Sequence, residues 1–207
     1  MATPPRHTPL ESQSAKTTER RILDSARHEL ARSGILGLRV AEVAQGAKCS
    51  ITNIYRHFGD RDGLLARVLG DIMEEIVEAT VEEFRTAIRS RSAMSIRDMV
   101  ALLPFGPAFE TLNHKFRLQI LAAATENSIL DERLHIVFAR RLDLWLKVLA
   151  EAQQRMAPNE HFDERMFLGF IFDFMPFASV YLGPRRMTQD EFRALLADKL
   201  RITQPRS

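Results

Sequence analysis

Asp131 and His135 stand four residues apart, as do Glu110 and His114, so each pair shares one helical face, one turn apart. A metal centre needs three or four ligands, whereas solvated helix faces supply such pairs routinely. No glycine-rich phosphate loop, nucleophile elbow or Cys/His nucleophile pairing accompanies them, so no catalytic residue, metal or cofactor is expected. The chemistry is concentrated instead in residues 49–65, "CSITNIYRHFGDRDGLL". Ile51, Ile54, Tyr55, Phe58, Leu64 and Leu65 supply apolar spacing. Between them stand Ser50, Thr52, Asn53, Arg56, His57 and Arg61, polar and basic groups that a hydrophobic core does not need.

The elements that hold these groups follow from periodicity. Ile22, Leu23, Ala26 and Leu30 share one face of a helix over 17–33, with Thr17 or Thr18 as a cap and Gly34 ending it. "RVAEVAQGA" is a short helix with Val40, Val43, Ala44 and Ala47 inward. A tight turn through "GAKCS" leads to a second short helix, capped by Ser50 and stopped by Gly59. Asp60 then caps a long amphipathic helix from about Arg61 to Ser90. Two short helices joined by such a turn and braced by longer ones form a helix-turn-helix, whose second helix enters the DNA major groove. Pattern alone leaves a generic helical hairpin open. Charge leans toward a polyanion partner: residues 1–70 carry 11 Lys/Arg against 7 Asp/Glu, a surplus of four, while the rest of the chain is net acidic.

"RVAEVAQGAKCSITNIYRHFGDRDGLL", preceded by "RRILDSARHELARSGILGL", resembles the DNA-binding signature of the tetracycline-repressor (TetR) family of bacterial transcriptional regulators. The resemblance covers residues 17–70. It implies an all-α chain with an N-terminal three-helix helix-turn-helix DNA-binding domain over 17–65 and a C-terminal helical ligand-binding and dimerisation domain over 66–203. Residues 1–16, Pro- and Ser-rich, are read as a disordered tail. Tyr55, His57 and Arg61 fall where the family contacts phosphate, with Asn53 also near the backbone. Ser50, Ile51, Thr52 and Arg56 are the base-facing candidates: Arg56 has the reach for guanine, and Ile51 or the Thr52 methyl suits a thymine methyl. The sequence departs from the family at three places. Lys48 stands where the turn usually has Gly, and is either strained or a further phosphate contact. Arg39 stands where a hydroxyl usually opens the second helix, offering a charged phosphate contact instead. Thr52 replaces a frequent Gly.

Beyond residue 92 no second motif is seen. Helices are expected at about 95–103, 107–126, 130–156, 161–182 and 188–200. The fourth is apolar nearly all round, and the family resemblance implies a homodimer through late helices. Phe167, Ile171, Phe177 and Tyr181 are the candidate dimer contacts. Phe105, Phe109, Phe116, Trp145, Met166, Phe170, Phe174 and Met175 are candidates for an effector pocket, the family implying an inducer cavity here. Such a set suits a small apolar or aromatic effector, with Tyr181, Gln119 and Asn113 as polar handles.

At 207 residues, 45% hydrophobic, the chain can fill a substantial core, and its nine Gly and nine Pro leave room for long helices. A single cysteine, Cys49, excludes an internal disulfide framework and points to a reducing, cytoplasmic setting. "MFLGFIFDFMPFASVYLG" is broken by Asp173 and Pro176 and is expected to be a buried helix rather than a membrane span. The expected activity is that of a homodimeric repressor on double-stranded DNA, released from a pseudo-palindromic operator by its effector. An effector-independent DNA-binding protein, whose C-terminal domain only dimerises or binds another protein, is the alternative.

Overall fold

The computed structural model describes residues 9–102, 112–158, 160–169 and 189–200. Nine helices lie among them: α1 (Pro9–Gly37), α2 (Val40–Ala47), α3 (Ile51–Phe58), α4 (Arg61–Arg89), α5 (Ile96–Ala101), α6 (Leu112–Ala124), α7 (Ser128–Gln153), α8 (Glu164–Gly169) and α9 (Gln189–Leu200). The extended backbone pairing seen among the described residues is an isolated bridge between Met94 and Met156. The chain is all-α. Helix α1 begins at Pro9, inside the segment expected as a disordered tail. Proline suits a first helical position, where the missing N–H has no intrahelical partner to lose. Gly34 interrupts α1 at φ 72°, ψ 177°, at the position where the sequence places its end.

Contacts divide the chain into two units, residues 1–72 with 120–134, and residues 73–119 with 135–207. In the first, Ile22, Ala26 and Leu30 of α1 meet the buried faces of α2 (Val40, Val43, Ala44, Ala47) and α3 (Ile54), closed by Leu64, Leu65, Val68 and Leu69 of α4. In the second, Val81, Phe84 and Ile88 of α4 pack with Trp145, Val148 and Leu149 of α7, Ile96, Met99 and Val100 of α5, Phe167 of α8, and Leu196 of α9. Ser95 caps α5 in a reciprocal box with Asp98. Its hydroxyl and backbone N–H donate to the Asp98 carboxylate and hold it below the usual carboxyl range. No helix among the described residues is long and apolar enough to cross a membrane.

Candidate nucleic-acid interface

Helix α3 is held by few residues and offers many. Of its eight residues only Ile54 is fully buried, while Phe58 is half-buried. Ser50 sits outside the helix in extended backbone (φ −81°, ψ 155°), and its Oγ accepts from the Asn53 N–H at 3.2 Å, satisfying one of the free donors at the helix start. Ser50, Ile51, Thr52, Tyr55 and Arg56 are exposed around that first turn and a half. Arg56 donates to Asn53 Oδ1 at 2.6 Å, so the guanidinium expected to face bases and the amide expected to face the backbone lie side by side. Ile51 at 41% and Tyr55 at 42% exposure are apolar surface that this unit leaves uncovered. These groups form one continuous polar-and-apolar face suited to base edges and thymine methyls.

The bracket around α3 depends on close approaches. Gly59 ends the helix at φ 83°, its N–H donating to Tyr55 O. Asp60 Oδ1 then accepts from the Gly63 N–H at 2.7 Å, capping α4. A Cβ on Gly63 would lie 1.9 Å from the Phe58 carbonyl oxygen, so only glycine allows α4 to start this close to the end of α3. On the other side, the Ser25 hydroxyl donates to Val43 O at 2.9 Å, and a Cβ on Gly46 would lie 2.3 Å from that hydroxyl.

Lys48 links α2 to α3. It adopts the left-handed conformation (φ 53°, ψ 49°), and among the described residues it is the one non-glycine with positive φ. Its N–H and that of Cys49 close the last turn of α2 on Gln45 O and Ala44 O. A side chain in this region costs roughly 1–2 kcal/mol. Lys48 is therefore strained, and its side chain is exposed. Arg39 occupies the N-cap position of α2, exposed and with no side-chain capping bond.

Two phosphate candidates have inward work as well. Arg61 donates from Nε to Leu38 O (3.3 Å) and from one Nη to Ile35 O (3.2 Å), tying the start of α4 to the α1–α2 connection. Its other Nη lies 3.6 Å from Asp62 Oδ1, with the side chain 40% exposed. His57 is half-buried, with Nε2 enclosed and unpaired and the ring 6.1 Å from that of Phe58. A phosphate contact from His57 therefore falls to the other ring nitrogen. The Arg61 clamp has no sequence signal, because both acceptors are backbone carbonyls more than twenty residues away.

The C-terminal candidates are only partly placed. Phe105, Phe109, Phe170, Phe174 and Met175, together with Ile171, Phe177 and Tyr181, lie outside the described residues. Met166 lies on α8, and Phe116 is half-buried on α6. Trp145, expected in the pocket, is 1% exposed and meets Phe84 edge-on at 5.0 Å. Phe167, expected at the dimer interface, is instead fully buried inside its own unit. Its ring lies 5.9 Å from Phe162, 6.0 Å from Phe84 and 6.5 Å from Trp145. That aromatic cluster satisfies it without a second chain. Among the described residues, no three His, Cys, Asp or Glu side chains gather as a metal site would require.

Residues 22–68 match the family model for bacterial regulatory proteins of the tetR family. The HTH-type transcriptional regulator BetI of Paraburkholderia phytofirmans is 30% identical over 80 residues, 39% of this chain and 40% of that protein. The match thus spans less than half the length of this curated relative. FadR of Bacillus subtilis, solved in complex with stearoyl-CoA, shares the fold with a TM-score of 0.52 and 16% identity, over 90% of this chain and 99% of that one. A protein of Saccharomonospora viridis solved in complex with choline superposes with a TM-score of 0.55 and 18% identity, over 90% and 95% of the two chains. The helix-turn-helix geometry of α2 and α3 coincides with the matched residues that build it: residues 22–68 are similar to the tetR family of bacterial regulatory proteins, and the likeness in sequence is to that segment.

Proposed function

We propose that the protein is a DNA-binding transcriptional regulator, acting as a homodimeric repressor that a small effector releases from a pseudo-palindromic operator. The observation that carries the reading is the face of α3, where Ser50, Ile51, Thr52, Tyr55 and Arg56 stand exposed on a helix anchored by Ile54. In this reading α3 lies in the major groove, and Arg39, Lys48, Asn53, Tyr55, His57 and the outward Nη of Arg61 face phosphates. Two copies, spaced by their C-terminal units, read the two half-sites. Release follows if the effector binds the DNA-incompetent arrangement more tightly, the only way a ligand moves such an equilibrium. Fold neighbours solved with stearoyl-CoA and with choline support a ligand site in this architecture, without naming the ligand here.

The test is binding of the full chain to DNA from upstream of its own gene, by fluorescence anisotropy across salt concentrations. A steep negative slope of log K against log salt is expected, and no binding at low salt overturns the reading. Arg56→Ala should relax preference at one base pair by about 1–3 kcal/mol. Arg61→Ala should lower the salt slope by about one for a phosphate contact. A lowered melting temperature with an unchanged slope would assign Arg61 wholly to its clamp on Ile35 O and Leu38 O.

A further inference from the structure

The C-terminal unit holds two arginines where an ordinary core would have none. Helices α4 and α7 run parallel, pairing Glu74 with Arg140 (2.7 Å), Phe84 with Trp145 (5.0 Å) and Arg89 with Glu151 (2.9 Å). Between the first two of these rungs lie Thr80 on α4 and Arg141 on α7. Arg117 of α6 reaches into the same layer, donating from Nη to Thr80 Oγ1 at 3.2 Å. That hydroxyl already donates to Ile76 O at 2.8 Å, so it is a neutral partner with its proton committed. Arg117 Nε is enclosed with no acceptor, and among the described residues this cation meets no carboxylate. Arg141 has interactions of its own, but its charge adds to that of Arg117 rather than cancelling it.

The electrostatics agree with the geometry. Burial lowers the pKa of Arg117, and burial followed by repulsion from Arg117 pushes Arg141 down to about 10. Both stay charged at neutral pH, so the chain cannot relieve the repulsion by losing a proton. One helical turn along α7 from Arg141, Trp145 is 1% exposed and its Nε1 is enclosed with no partner. The unsatisfied atoms of this layer are therefore donors, Arg117 Nε–H and Trp145 Nε1–H, set beside two positive charges and the aromatic pair Phe84–Trp145. Buried donors of this kind call for an acceptor, and the Arg117 charge that carries one of them favours an anionic acceptor.

We infer that the Thr80–Arg117–Arg141 layer is a seat for the carboxylate or phosphate of an amphipathic organic anion, whose apolar part lies toward Phe84 and Trp145. This names the ligand class of the proposed effector site and rests on that reading only for the consequence at DNA. A guanidinium fork takes either head group in a bidentate pair, and the positive layer excludes a quaternary ammonium.

Four probes with one tail and different heads test it on the full chain: hexanoate, hexyl phosphate, 1-hexanol and hexyltrimethylammonium, by calorimetry and thermal shift. At least one anionic probe should bind about 10-fold or more tightly than hexanol, and the ammonium probe more weakly than hexanol. Whichever anion binds better identifies the head group. Arg117→Met should abolish the preference for the anion while melting no lower than the parent without ligand. Arg117→Lys, which keeps the charge and loses the fork, should retain a weakened preference. Equal binding of the anions and hexanol overturns the inference, and so does an Arg117→Met variant that melts well below the parent, since Arg117 would then be structural. Anisotropy on operator DNA separates this from the regulator reading. Anion binding that leaves DNA affinity unchanged keeps the seat and removes effector release. DNA binding without any anion preference removes the seat alone.

Discussion

Arg61 and Arg117 are both half-buried arginines that donate to neutral oxygens, and the two regions around them are built on opposite terms. Arg61 satisfies two backbone carbonyls with a charged fork, keeps a third nitrogen near Asp62, and so finishes a bracket whose exposed groups face outward. Arg117 has one hydroxyl, a second cation beside it and an enclosed N–H without an acceptor. The first unit presents its recognition groups on its surface, although His57 Nε2 is enclosed without a partner. The second carries unmet groups inside. A surface that recognises a long polyanion needs a rigid scaffold, whereas a site for a small ligand keeps its unpaired donors where water is excluded.

The contrast breaks most decisively at Gly63. If the N-terminal unit is a rigid bracket, a Cβ placed 1.9 Å from Phe58 O must push α4 away from α3. Helix propensity alone would favour alanine by about 1 kcal/mol. We expect Gly63→Ala instead to destabilise by about 3 kcal/mol in urea unfolding, and to lose DNA binding with it. A stabilised variant would mean that the bracket yields and that α3 is not held in place as described.

Gly46 is the milder version, and it can be rescued. Gly46→Ala is expected to cost about 2 kcal/mol, because the Ser25 hydroxyl it meets is fixed by its bond to Val43 O. Ser25→Ala alone should cost about 1 kcal/mol for that hydrogen bond. In the double variant the new methyl faces Ser25 Cβ at 3.4 Å, close but tolerable, so the two changes should not add. Strict additivity would show that the α1–α2 contact is not set by this pair.

How much of this is legible in sequence follows the same division. Apolar spacing finds the inward face of α2 residue for residue and that of α1 at Ile22, Ala26 and Leu30, with Leu23 only half-buried and the buried Glu29 missed, since a helix buried on one side must repeat with the helical period. Ser50, Gly59 and Asp60 mark the boundaries of α3 and α4, and Gly34 the break in α1, because caps and left-handed stops have strong residue preferences. What the sequence hides is tertiary. Phe167 has the same composition signal whether it meets a second chain or its own Phe84 and Trp145, and the structure places it with its own. The Arg61 clamp and the Arg117–Thr80 contact join residues 23 to 37 positions apart with no local pattern to mark them. An inward-facing arginine on an amphipathic helix is spelled the same way as a solvated one.

Lys48 carries the smallest effect and the finest distinction, because stability and recognition should move in opposite directions there. Its left-handed backbone is strained for any residue with a Cβ, and glycine would adopt it freely. Lys48→Gly should therefore raise stability by about 1 kcal/mol, the relief of the strain being partly offset by the greater freedom of glycine in the unfolded chain. If the exposed ammonium also grips phosphate, the same variant should bind DNA more weakly and lose about one from the salt slope. A more stable protein that binds DNA less well would mean that the chain keeps a strained lysine in the turn for the sake of its outward face. A more stable protein with unchanged DNA binding would reduce Lys48 to strain without recognition, and the separation between a settled interior and a working surface would fail at that turn.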